Sequence, residues 1–212
     1  MYTSNLLIIL LGGLATASPL RVRQQTNDSN YKVIIDSNAL AQALKTIMPT
    51  SDSCAGAPGP ADDCRTAEQA APFIANSSEG LGPGELAGTL ALMGVESGDL
   101  KYKHNVFPGR PGQGTAGMLM PNFVAEYAAS VLGAQAVAGL SPAAVLDLVT
   151  VDEHNFGSVR WFLDAKCDDG VKAALRTGSD DGFRAYMGCV GVNADDPARL
   201  AYWNRAKAAL GL

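Results

Sequence analysis

The sequence has few histidines, little positive charge, and no apolar stretch beyond its first residues that is long enough to cross a membrane. Each shortage narrows the function. His104 and His154 are the only histidines, and none of the four cysteines stands in C-x-x-C spacing, so a structural zinc site has no ligand pattern. With 16 Lys and Arg against 21 Asp and Glu, the formal charge is -5. A phosphate-backbone partner demands a basic face, so nucleic acid is excluded, as is a generic anionic surface. No Ser-His-Asp order and no Gly-x-Ser-x-Gly elbow can be read from the chain. Gly109 to Gly114 is glycine-rich but lacks the strand, loop and lysine of a phosphate loop. Internal repeats, coiled-coil heptads and long biased tracts are missing as well. These shortages predict no metal, no cofactor, no nucleic acid, no membrane and a monomer.

What is present begins with a leader. Met1 to Asn5 is polar, Leu6 to Ala15 is a 10-residue apolar run, and Ala15-Thr16-Ala17 offers small residues where a signal peptidase needs them. The run is half of the ~20 residues a bilayer-spanning helix needs. The reading is a signal peptide over 1–17, a propeptide or flexible N-terminus over 18–30, and one catalytic domain over 31–212. The protein is then secreted and extracellular. An even number of cysteines in an exported chain reads as two disulfides. Of the three connectivities, Cys54–Cys64 and Cys167–Cys189 close short local loops and are favoured. Asn27-Asp28-Ser29 and Asn76-Ser77-Ser78 fit the N-glycosylation pattern at Asn27 and Asn76.

Most of the chain reads as helix. Segments from Ser37 to Met48, Cys64 to about Asn76, and Pro83 to Ser97 carry helical spacing and end at proline or glycine. Gly and Pro then crowd residues 98–120, where Lys101–Phe107 and Thr115–Met120 are two short strands or extended arms. Helices resume at Pro121, with Phe123, Val124, Tyr127, Val131 and Leu132 on the buried side, then at Pro142, Asn155, Gly170, Asp180 and Pro197. The fold class is mainly α, written α+β for a small irregular or β-hairpin insert forming one wall of a cleft.

Within the third helix, Leu86 to Val95 carries no charge and then ends in Glu96. A helix apolar on nearly all sides is buried. A carboxyl at its end is poorly hydrated, which favours the protonated form and suits a proton donor. Asp99 is the nearest second carboxylate, with Asp152 and Glu153 at a later helix start. Ser97 could orient the Glu96 carboxyl.

Glu96-Ser97-Gly98, Asn105, and Gly114-Thr115-Ala116-Gly117-Met118-Leu119-Met120 together resemble the heart of the lysozyme-like superfamily: goose-type lysozymes, lytic transglycosylases and secreted fungal muramidases. The resemblance covers about residues 85–132. Met120 or Pro121 stands where those families often have Gln, and the acidic pI near 4.9 departs from their usual basic charge. The resemblance implies a lysozyme-like helical domain that hydrolyses the β-1,4 bonds of peptidoglycan, with Glu96 as general acid and antimicrobial action. Ser97, Tyr102, Asn105, Gln113, Thr115 and Met118 would meet the sugars, and Asp99 would complete the site. Alternatives within it are a lytic transglycosylase or a chitin-type hydrolase. A silent secreted binding protein or effector is the alternative of another class.

Overall fold

The computed structural model describes residues 23–25, 32–60 and 62–212. The expected signal peptide and Asn27 lie outside the described residues. The described chain is mainly helical.

Two short strands, β1 (Arg23–Gln25) and β2 (Lys32–Ile34), pair antiparallel with Gln24 opposite Val33. The helix α1 (Ser37–Ile47) follows. Asp36 caps it by accepting from the Ala39 amide at 2.8 Å, so the cap sits one residue before the Ser37 that the sequence suggested. Leu40, Ala41, Leu44 and Ile47 recur at helical spacing and are buried. The helix α2 (Ala67–Ser77) opens with a capping box between Thr66 and Gln69.

The centre of the fold is α3 (Pro83–Ser97), buried along most of its length as its uncharged sequence requires. Its glycines permit close packing. A Cβ on Gly84 would stand 2.3 Å from the Leu175 carbonyl oxygen, and one on Gly94 would meet the Tyr202 ring at 2.6 Å. Those neighbours belong to α9 (Asp169–Arg176) and α11 (Pro197–Leu210), the helices that flank α3.

After α3 the chain turns through three consecutive left-handed residues, Gly98, Asp99 and Leu100. Of the two forms expected for the insert, irregular or β-hairpin, the structure has the irregular one. Residues 101–120 hold only isolated bridges, His104 to Gly114 and Gly114 to Leu119. Pro108 and Pro111 have no amide to donate, and positive φ at Thr115 and Met118 interrupts any extended run.

The remaining helices pack around this insert and α3. They are α4 (Pro121–Leu132), α5 (Ala134–Val137), α6 (Pro142–Val149), α7 (Asp152–Asn155), α8 (Gly157–Lys166) and α10 (Asp180–Val190). Val124 and Tyr127 of α4 are buried as expected, but Val131 is exposed. The single helix expected from Asn155 starts earlier and breaks at Phe156, giving α7 and α8. The disulfides join Cys54 to Cys64 and Cys167 to Cys189; the second ties the end of α8 to α10. Trp203 is fully buried and stacks on Phe183 at 4.7 Å, so it is core.

Candidate functional site

The carboxylate at the end of α3 has a partner that the local sequence does not reveal. Arg199, on the first turns of α11, places its guanidinium 2.7 Å from Glu96 Oε1. Both side chains are largely covered, at 20% and 15% exposure. The guanidinium occupies the carboxylate, so Glu96 is one half of an ion pair that joins the end of α3 to α11. Tyr186 lies fully buried nearby. Burial first, then the charges of Asp164 and Glu96, push its phenol far above the ordinary range. The Tyr186 hydroxyl and one Arg199 amino group are buried without a hydrogen-bond partner.

Asp99 is not placed as a second catalytic carboxylate. It is buried and accepts three hydrogen bonds: the Thr50 amide at 2.9 Å, the Thr50 hydroxyl at 2.7 Å, and the Tyr202 hydroxyl. These bonds clasp the left-handed turn after α3 to the end of α1 and to α11. Ser97 donates to the Met93 carbonyl at 2.7 Å and accepts from the Leu100 amide at 2.9 Å. It fastens the same turn and makes no bond to Glu96. Asp152 accepts from Arg65 and Lys103, each at 2.7 Å. Burial opposes its ionisation, but those two bonds and charges outweigh it and hold its carboxyl below the ordinary range.

The other residues expected to meet a sugar are spent on holding the insert in shape. Asn105 accepts from the amides of Gly109 at 2.9 Å and Arg110 at 3.0 Å, an Asx-type turn. Gln113 donates to the Met118 carbonyl at 3.3 Å. The Tyr102 ring packs over Gly98 and Gly59, where added Cβ atoms would stand 3.1 and 3.3 Å away. Met118 occupies a left-handed position in the turn. Thr115 is fully buried, also left-handed, and its hydroxyl has no partner. Asn76 is exposed near the end of α2, where a glycan would meet solvent.

A different constellation was missed from the sequence. Cys64 is fixed by its disulfide, and its two neighbours point charge into the insert. Asp63 is buried; its Oδ1 lies 2.8 Å from His104 Nδ1 and its Oδ2 accepts from the Lys103 amide at 3.3 Å. Arg65 binds Asp152 and also donates to the carbonyls of Asp62 and Cys64, each at 2.8 Å. Lys103 is buried, and its ammonium reaches Asp152. The far nitrogen of His104, Nε2, is 3.8 Å from Asp147, beyond hydrogen-bond range. Asp63, Arg65, Lys103 and Asp152 balance two positive charges with two negative ones around a one-third exposed imidazole. The available signal was Asp63-Cys64-Arg65 itself, two opposite charges beside a disulfide.

Comparison with known proteins corrects the functional expectation. A protein of Fusarium oxysporum (strain Fo5176), named a bifunctional dioxygenase (DOX)-epoxy alcohol synthase (EAS), is 48% identical over 158 residues. The match covers 68% of this chain and 12% of that protein. No family model and no solved structure matches. The lysozyme-like resemblance is thereby overturned, and with it the muramidase activity, the peptidoglycan substrate and the glycoside-hydrolase class. At the residue on which that expectation turned, the structure shows an ion pair with Arg199.

The named activities raise the question of a redox metal. Among the described residues no group of three or more His, Cys, Asp and Glu is placed to hold one, and all four cysteines are in disulfides. Among the described residues the donor set does not fit a centre held by three or more protein ligands.

Proposed function

We propose that this chain is an exported helical module serving oxidoreductase and isomerase chemistry of the kind for which the Fusarium protein is named, and that it acts on compounds of the epoxy alcohol class. The observation that carries this reading is the 48% identity across two thirds of the chain. The matched segment is a small part of a much longer relative, so this chain takes one share of that chemistry. The charged constellation at Asp63, Lys103, His104 and Asp152 suits binding and acid–base work on an oxygenated compound. Two disulfides and the leader-like start support export.

The test is calorimetry of the disulfide-intact chain with a long-chain epoxy alcohol and with the parent alcohol lacking the epoxide. The reading expects dissociation at about the micromolar level for the first and roughly tenfold weaker binding for the second, a difference of about 1.4 kcal/mol. Equal binding of both compounds, or none of either, rejects it. Mass spectrometry of the culture medium tests export separately, the expected N-terminus being Ser18.

A further inference from the structure

We propose that His104, oriented by Asp63, is the catalytic base of this chain, and that it isomerises an epoxy alcohol whose hydroxyl stands on the carbon next to the epoxide. The substrate class rests on the preceding reading. The dyad itself stands on geometry alone.

The buried Asp63 carboxylate lies 2.8 Å from Nδ1, close enough to hold the ring proton there. That tautomer leaves the lone pair on Nε2. Nε2 has no hydrogen-bond partner among the described residues, its nearest acid being Asp147 at 3.8 Å, and the side chain is one-third exposed. Nε2 is therefore unpaired and reachable. Asp63 is itself fixed in three ways. Its neighbour Cys64 is in a disulfide, its amide donates to the Pro60 carbonyl at 3.0 Å, and its second oxygen accepts from Lys103.

The insert and the helix α7 bonded to it also carry polar groups without partners. Thr115, whose amide donates to the Lys103 carbonyl at 2.7 Å, has a buried hydroxyl without a partner. Asn155, whose carbonyl accepts from Ala116, has a buried side-chain oxygen without one. Two and three residues beyond His104, Val106 and Phe107 are exposed at 49% and 88%, apolar surface on the same loop as the base.

The reaction needs no oxidant. Nε2 takes the proton of the substrate hydroxyl. The resulting alkoxide oxygen bonds to the adjacent epoxide carbon, and that carbon's bond to the ring oxygen breaks. The freed oxygen then takes the proton back from the imidazolium. One C–O bond forms, one breaks, and the proton ends on the other oxygen.

The test incubates the intact chain with a long-chain alcohol carrying an epoxide on the two neighbouring carbons, in water enriched in heavy oxygen. The expected product is the positional isomer with no label from solvent. His104→Gln should be at least about 100-fold slower. Asp63→Asn should lower kcat by roughly 10- to 100-fold with KM unchanged, because a positioning residue does not touch substrate. Nitrogen NMR of the wild type should show Nδ1 protonated and Nε2 bare, a readout that does not depend on any variant folding. A solvent-labelled triol, the reverse tautomer, or a folded His104→Gln as fast as wild type overturns the proposal. Binding without turnover overturns it and leaves the preceding reading intact. Failure to bind overturns both.

Discussion

Replacing Asp99 tests whether it is a structural clasp. The Asp99→Ala chain loses an acceptor that takes two hydrogen bonds from Thr50 and one from Tyr202. Hydrogen bonds to a charged group contribute about 1.5–3 kcal/mol each, but Thr50 is exposed and its two donors can turn to water. Their loss should cost about 0.5–1 kcal/mol apiece. The Tyr202 hydroxyl is half-buried, and burial together with the Asp99 carboxylate pushes its phenol well above the ordinary range. Losing that bond should cost about 2 kcal/mol. Asp99 also sits at φ 60, a conformation Asp and Asn tolerate better than Ala. The expected total is about 4 kcal/mol, a melting-temperature drop of roughly 8–16 °C for a domain of this size. Asp99→Asn keeps an acceptor and the backbone preference and should lose about half as much. Urea unfolding followed by the fluorescence of the buried Trp203 measures both. The double variant with Tyr202→Phe should be less destabilised than the two singles added together. An Asp99→Ala chain within about 0.5 kcal/mol of wild type, or strictly additive variants, would refute the clasp.

Three further outcomes follow from the packing and charge. Gly84→Ala drives a Cβ to 2.3 Å from the backbone of α9, which no rotamer relieves, and should cost about 3 kcal/mol in the same unfolding assay. Arg199→Met should cost about 2–3 kcal/mol by stranding Glu96, whereas adding Glu96→Gln should restore part of that loss; a double variant worse than Arg199→Met would sink the pairing. Asp152 has a folded-state pKa below its ordinary value, so its stabilising contribution is present above the unfolded value and is lost as pH falls through the folded one. Acid unfolding of Asp152→Asn should therefore lack that component below about pH 4, seen as a shallower stability-versus-pH slope than wild type.

Local patterning is enough to find the helices, because caps, prolines and the 3.6-residue period act within a few residues. The range of α3 can be read directly from Pro83, the uncharged run and Gly98. Phe156 is the counterexample. Helical spacing continues through it, and the break between α7 and α8 coincides with its burial in the core, which local spacing does not register. The same locality explains Val131, whose periodicity is apolar but whose face is left uncovered.

The candidate site was misread for a related reason. A carboxylate closing an apolar helix has two very different fates, and only a distant partner decides between them. Arg199 lies 103 residues from Glu96 and approaches because the glycines of α3 let α11 pack close. Asp99 likewise depends on Thr50 and Tyr202, 49 and 103 residues away. The dyad is different. The disulfide sets the position of Asp63 and the Gly/Pro-rich insert sets that of His104, and both features are visible in the sequence. Their 41-residue separation hid the contact. Among short polar motifs, the ones worth testing first are therefore those anchored by a covalent crosslink, since the crosslink fixes one partner before any long-range packing is known. By that reasoning, reducing Cys54–Cys64 should release Asp63 and abolish the Nδ1–H tautomer of His104, while Cys167–Cys189, which ties α8 to α10, should leave that tautomer unchanged when replaced by a pair of serines.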